Sequence, residues 1–334
     1  MADAADERRW LLLIHQIPPK PDYFRVKIWR RLQRLGAVAI KNSVYVLPKN
    51  DQTQEDFHWV LREIVEGHGE ASLCEARFVE GLSDREVEAL FQAARGAEYD
   101  EIANEARRLA AIDLKQPRKD EAQRPQLGTE IARLQRRLAE VAAIDFFGAP
   151  GRESAEGLVA GLEARITGGD STPRLSGARP LRREDVLGKT WVTRKGLYID
   201  RMASAWLIRR FVDPEARFKF VPAKGYKPLA HEIRFDMFEA EFTHQGDRCT
   251  LEVLIEWIET DDPGLTAIAE IVHDIDLKDS KFNRQEAFGL ERLISGIAMA
   301  HEDDAVRLER GLAVFDDLYV YFRRKRPPPS ARRP

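Results

Sequence analysis

Residues 10–48 read WLLLIHQIPPKPDYFRVKIWRRLQRLGAVAIKNSVYVLP. Trp10 to His15 is an apolar run of strand length, stopped by Pro18 and Pro19, neither of which can donate a ladder hydrogen bond. From Arg25 to Leu35 the apolar residues Val26, Ile28, Trp29, Leu32 and Leu35 return at helical spacing, and Gly36 ends the run. Val38, Ile40, Val44 and Val46 then alternate as in a strand, broken at Asn42-Ser43, which predicts a bent strand or hairpin closed by Pro48. Working outward, Thr53 to Glu66 repeats the helical pattern through Phe57, Val60, Leu61 and Ile64, and Ala71 to Val79 reads as a further strand. The order βαββαβ predicts a ferredoxin-like α+β module, with helices covering an antiparallel sheet. Ser83 followed by Glu86 is a capping box that opens a long charged helix reaching Ile112.

Between Thr129 and Phe146 the residues Ile131, Leu134, Leu138 and Val141 share a helical face, opposite Arg133, Arg136 and Arg137. That face suits either a coiled dimer contact or packing on its own domain. From 148 to 189 the chain is rich in Gly, Ser, Pro and Arg without sustained periodicity, which predicts an interdomain linker. The expected organisation is therefore an amino-terminal domain over 1–147, a linker over 148–189, a second domain over 190–326, and a basic disordered tail over 327–334. The second domain opens with a strand, Thr190 to Arg194. Asp200 then reads as the cap of a helix through Met202, Ala205, Trp206, Ile208 and Val212. Short strands near 218–221 and 233–237 precede helices over 250–258, 265–275, 285–299 and 303–324, a mostly helical α+β pattern.

The chain has 334 residues, enough for about two domains. Its 53 basic and 56 acidic residues leave a formal charge of −3, so nucleic-acid binding would have to come from local basic clusters. Two cysteines without a CxxC spacing indicate neither a disulfide framework nor a cysteine zinc site, in keeping with a cytoplasmic protein. The first apolar run is too short for a signal peptide or a membrane span. There is no GxGxxG, P-loop, HExxH or nucleophile elbow.

Three signatures resemble the chromate-resistance regulator family across both of its domains: the opening Trp10-Leu-Leu-Leu strand, the run from Thr193-Arg194 through Asp200-Arg201-Met-Ala-Ser-Ala-Trp-Leu-Ile-Arg-Arg-Phe211, and Phe315-Asp-Asp-Leu-Tyr319. Ile271-Val-His-Asp-Ile-Asp276 accompanies them. The first domain is also similar to the middle domain of phenylacetate-type repressors. The resemblance implies control of a chromate efflux operon, with operator DNA bound by the amino-terminal half and chromate sensed by the carboxyl-terminal half. Regulators that read paired half-sites are commonly homodimers, and the helix 129–146 would supply the seam.

Arg25, Lys27, Arg30, Arg31, Arg34 and Lys41 form a stretch without acidic residues, interleaved with Trp29, which could neutralise DNA phosphates or simply face solvent. The first hundred residues show no helix-turn-helix with a compact Gly turn. An oxyanion sensor needs fixed donors converging on a small dianion, and arginine offers a rigid fork of N–H groups. Arg194 and Arg201 suit that role, Arg201 because a helix capped by Asp200 would place it in the first, electropositive turn. His244 can donate through its ring. The resemblance implies the same set, through an Arg-x6-Arg pair and the histidine of a Phe-x-His pattern. The alternative is that Arg201 pairs with a carboxylate such as Asp236 and that Arg194 is a surface charge.

Asp236, His244, Glu252, His273 and Asp276 mix imidazole and carboxylate as divalent-metal sites do, with His273 and Asp276 three apart on one helix. A metal-dependent oxidoreductase or hydrolase is accordingly the competing reading. Cleavage of nucleic acid, as in small CRISPR-associated nucleases, would need an acidic group at the end of the first strand, where Ile14-His15-Gln16 stands instead. Oxidation of Cys249 or Met202 offers one route by which chromate could differ from sulfate.

Overall fold

The computed structural model describes residues 10–20, 22–115, 124–167, 181–222 and 226–324. The chain divides into two compact units, one of residues 1–101 with 136–150 and one of 102–135 with 151–334. The expected tail over 327–334 lies outside the described residues. Among those residues no helix is long and apolar enough to cross a membrane.

In the first unit the elements follow as β1 (Trp10–Gln16), α1 (Asp22–Arg34), β2 (Val38–Lys41), β3 (Val44–Pro48), α2 (Asp51–Glu66) and β4 (Glu70–Ala76), the βαββαβ order that the apolar pattern predicts. The sheet runs β2-β3-β1-β4 with every pair antiparallel. Strand β1 is central, its Leu12 opposite both Val46 and Cys74. Helices α1 and α2 bury Phe24, Ile28 and Leu32, and Phe57, Val60 and Ile64. Gly36 ends α1 with φ 72°, where a Cβ would lie 2.8 Å from that of Ile144. A capping box between Asn50 and Thr53 starts α2.

Helix α3 (Asp84–Lys115) begins as the sequence predicts: the Ser83 backbone N–H and hydroxyl donate to Glu86, and Ser83 Oγ accepts from the Glu86 N–H. Its first turns also explain why β1 starts with tryptophan. Trp10 stacks on Phe91, touches Phe147, and donates its indole N–H to Asp84 at 2.6 Å. Helix α4 (Arg124–Ala143) returns against α3, with Arg133 paired to Glu105 and Arg137 to Glu101. Ile131, Leu134 and Val141 are buried within the chain, so the apolar face that a dimer seam on this helix would use is already covered.

The segment expected to be a linker contains α5 (Arg152–Thr167) and a short turn, α6 (Arg183–Val186). Helix α5 is no tether, for Leu158, Val159 and Leu162 are buried. Gly157 and Gly161 weaken its helical signal in the sequence. In the fold they bring it against the 244–246 loop, where a Cβ on Gly157 would fall 2.6 Å from that of His244, and one on Gly161 the same distance from Gly246 Cα.

The second unit is built on β5 (Thr190–Arg194), flanked in parallel by β6 (Arg217–Val221) and β7 (Glu232–Arg234) in the order β6-β5-β7. Between β5 and β6 run α7 (Ile199–Leu207), buried at all nine positions, and a π-helical turn, Ile208–Val212. A helix buried on every side lies in a core. Helices α8 (Thr250–Trp257), α9 (Pro263–Asp276), α10 (Glu286–Ala300) and α11 (Asp304–Arg324) complete that core. Two of the sequence signatures meet here: Trp206 packs against Phe315 and Tyr319, and its indole donates to Asp316.

Candidate functional site

In α/β sheets ligands usually bind beyond the carboxyl ends of the parallel strands, where connections leave to opposite sides. Arg194 is the last residue of β5, and Arg201 sits in the first turn of α7. Asp236 lies two residues beyond β7, in a left-handed conformation with φ 45° that Asp tolerates better than most residues. His244 follows in the loop before α8, and Asp276 is the final residue of α9. All are buried except Asp276, whose side chain is 23% exposed.

Arg201, Asp236, His244 and Asp276 form a chain of opposite charges, and Arg194 has a carboxylate partner of its own. Arg194 donates to Glu153 of α5 at 2.9 Å. Arg201 Nη1 donates to the Gly196 carbonyl at 2.6 Å, and its Nε lies 3.2 Å from Asp236 Oδ2. Asp236 Oδ1 accepts from Thr250 Oγ1 at 2.9 Å and lies 3.5 Å from His244 Nδ1. On the other side of the ring, His244 Nε2 bonds Asp276 Oδ2 at 2.7 Å and lies 3.9 Å from Asp200 Oδ2. Arg201 thus pairs with Asp236, as the alternative reading expected. Arg194 is buried and ion-paired, not a surface charge.

Asp200 does not cap its own helix. Tyr198 occupies that position, and the Asp200 carboxylate reaches across to α8, accepting from the N–H groups of Thr250 at 2.8 Å and Leu251 at 3.0 Å. Burial, with Asp236 and Asp276 nearby, pushes its carboxyl up to about 8. Asp236 shifts the other way: although burial opposes it, the His244 hydrogen bond and the Arg201 charge hold it well below the usual carboxylate range. Burial also opposes protonation of His244, but Asp236 and Asp276 overcome it and raise the imidazole well above its ordinary value. On α5, burial pushes Glu156 up to about 7 against the pull of Arg152.

The expected five-residue metal set separates into two groups. His244, Asp236 and Asp276 belong to the cluster above. His273 instead sits between Glu252, 2.7 Å from Nδ1, and Asp279, 3.2 Å from Nε2. Although His273 and Asp276 share a helix, their imidazole and carboxylate have different partners and do not converge on one ion. Sequence reasoning missed Glu153, hidden in the supposed linker, Asp279, and the part Asp200 plays; no local pattern announces them. Cys249 and Met202 are fully buried, and burial raises the Cys249 thiol well above its ordinary value, which disfavours oxidation there.

In the first unit Arg25, Lys27, Arg30, Arg31, Arg34 and Lys41 are all exposed. Lys27 and Arg31 pair with Glu63 of α2, whereas Arg25, Arg30, Arg34 and Lys41 make no ion pair among the described residues. Tyr23 and Trp29 lie exposed among them, 70% and 52%.

Residues 25–169 match the family model described as Protein ChrB, N-terminal, and residues 191–322 match that described as ChrB, C-terminal domain. The chain belongs to the ChrB family. Over 332 residues it is 29% identical to Protein ChrB of Cupriavidus metallidurans, covering 96% of this chain and 97% of that protein. No solved structure matches. The ChrB C-terminal match spans Arg194, Asp200, Arg201, Asp236, His244 and Asp276, and the ChrB N-terminal match includes both the basic face of α1 and Glu153.

Proposed function

We propose that this ChrB-family chain is a chromate-responsive transcriptional regulator acting in the cytoplasm, with operator DNA on the basic face of α1 and chromate at the crevice beyond β5. The observation that carries the reading is that Arg194, Arg201 and His244 are each buried beside a carboxylate and that the charges of all three act on Asp236. An entering dianion competes with those internal carboxylates for the same donors, so binding is an exchange of partners. Exchange at Arg194 releases Glu153 and with it α5, the segment that joins the two halves of the chain in sequence. Exchange at Arg201 releases Asp236, which anchors Thr250 at the start of α8.

An electrophoretic shift of the promoter fragment upstream of the gene tests both halves. The native protein retards the fragment and chromate releases it. Arg201→Lys keeps the charge but loses the fork, and leaves DNA bound at the same chromate concentration. Replacing Arg30 and Arg34 together with alanine weakens binding and lowers the slope of log affinity against log salt by about 0.9 for each phosphate that is no longer neutralised. No retardation of the native protein at low salt would sink the regulator reading.

A further inference from the structure

We infer that Asp200, His244 and Asp276 bind a divalent first-row transition-metal ion. The site shares His244 and Asp276 with the anion reading above but is tested by metal alone, and the ligand set differs from the one that sequence spacing suggests. One ligand atom from each residue lies within 4.8 Å of the other two. The Nε2 atom is 2.7 Å from Asp276 Oδ2 and 3.9 Å from Asp200 Oδ2. Two donors each about 2.1 Å from a common ion lie at most about 4.2 Å apart; both separations from His244 fall inside that limit, and the two carboxylates lie within 4.8 Å of one another.

A second observation concerns the far side of the ring. Metal-ligating histidines present one nitrogen to the ion and donate the other N–H to a carboxylate that fixes the tautomer. His244 has that arrangement: Nδ1 faces Asp236 Oδ1 at 3.5 Å and Thr250 Oγ1 at 3.4 Å, while Nε2 faces Asp200 and Asp276. Asp236 is itself held by Arg201 and the Thr250 hydroxyl, so the orienting group is fixed in turn. Gly157 lets α5 close on His244 from behind. Asp200 is fixed by the two N–H groups at the start of α8, and each carboxylate oxygen keeps a further lone pair for an ion.

Two carboxylates and a neutral imidazole balance a 2+ ion once the protons on Asp200 and His244 have left for solvent, and the imidazole favours zinc or iron over magnesium or calcium, which prefer oxygen alone. The three ligands come from α7, the loop before α8, and α9, so the ion would tie these elements together. Asp276, the one partly exposed ligand, marks the route of entry.

The test uses the full chain, freed of metal with a chelator and titrated with cobalt(II), whose visible d–d absorption reports coordination. One equivalent is expected to bind and to be displaced by zinc but not by magnesium. Asp276→Asn and His244→Gln each weaken binding by about tenfold or more, since even outer partners of metal ligands matter that much. Asp279→Asn, at the neighbouring His273 group, binds as the native chain does. No cobalt signal from the native protein, a signal that survives in both ligand variants, or one abolished by Asp279→Asn would overturn the assignment.

Discussion

Replacing Asp236 with alanine is expected to destabilise the second unit by about 3–5 kcal/mol, because it leaves the buried Arg201 guanidinium without its counter-ion. Asp236 is 4% exposed, beside Arg201 and His244, with its carboxylate also taking the Thr250 hydroxyl. Alanine removes that charge and acceptor together and cannot hold the left-handed backbone at φ 45° as easily as Asp does. Asp236→Asn separates these effects. It keeps an acceptor and tolerates the same backbone, so its loss should be smaller, about 1–3 kcal/mol. Hydrogen exchange of the β5 and α7 amides in the full chain measures the opening of this unit. Protection unchanged in Asp236→Ala would mean that Arg201 and His244 find solvent or other partners at little cost, and the closed chain of charges around Asp236 would be wrong.

The second large effect is a pH dependence at His273. Burial alone would lower this imidazole, but Asp279 and Glu252 raise it to about 9 from an ordinary 6.5. A raised folded-state value means that the group stabilises the protein fully below about 6.5, and that this contribution disappears as the pH rises through about 9. Allowing for partial solvation of the two carboxylates, it amounts to about 2 kcal/mol. His244 titrates in the same sense, so the native profile alone cannot isolate His273. The useful quantity is the stability difference between the native chain and His273→Gln, measured by denaturant unfolding at pH 6 and again near pH 10. It should shrink by about 2 kcal/mol across that interval. A constant difference would show that His273 matters only through packing, for instance its edge contact with Phe282.

The first unit was legible because its signals are local. Trp10 to Ile14, the helical spacing of Ile28 and Leu32, the Asn42-Ser43 break and the Ser83/Glu86 capping box each involve residues within a few positions of one another, and each became the element it implied. Over residues 152–167 the expected linker is a packed helix, and residues 168–180 of it lie outside the described residues; the physical reason is that Gly157 and Gly161 cost helix propensity in isolation but are needed where α5 meets the 244–246 loop. The dimer-seam reading met a different limit, since an apolar stripe looks the same in sequence whether a second copy or the same chain covers it.

For the site, sequence by itself determined the residue types and the turns that carry them: arginines at a strand end and in a first helical turn, a histidine just before α8, and an Asp at the end of α9. Only the tertiary structure decided the partners. Arg194 and Glu153 are 41 positions apart, and Asp200 and Thr250 are 50 apart, on elements that meet only when the parallel sheet and its helices assemble. At such separations no periodicity links one residue to another. What couples them is the high cost of burying a charge or a helix-end N–H without a partner, and that cost arises only once the core has formed around them.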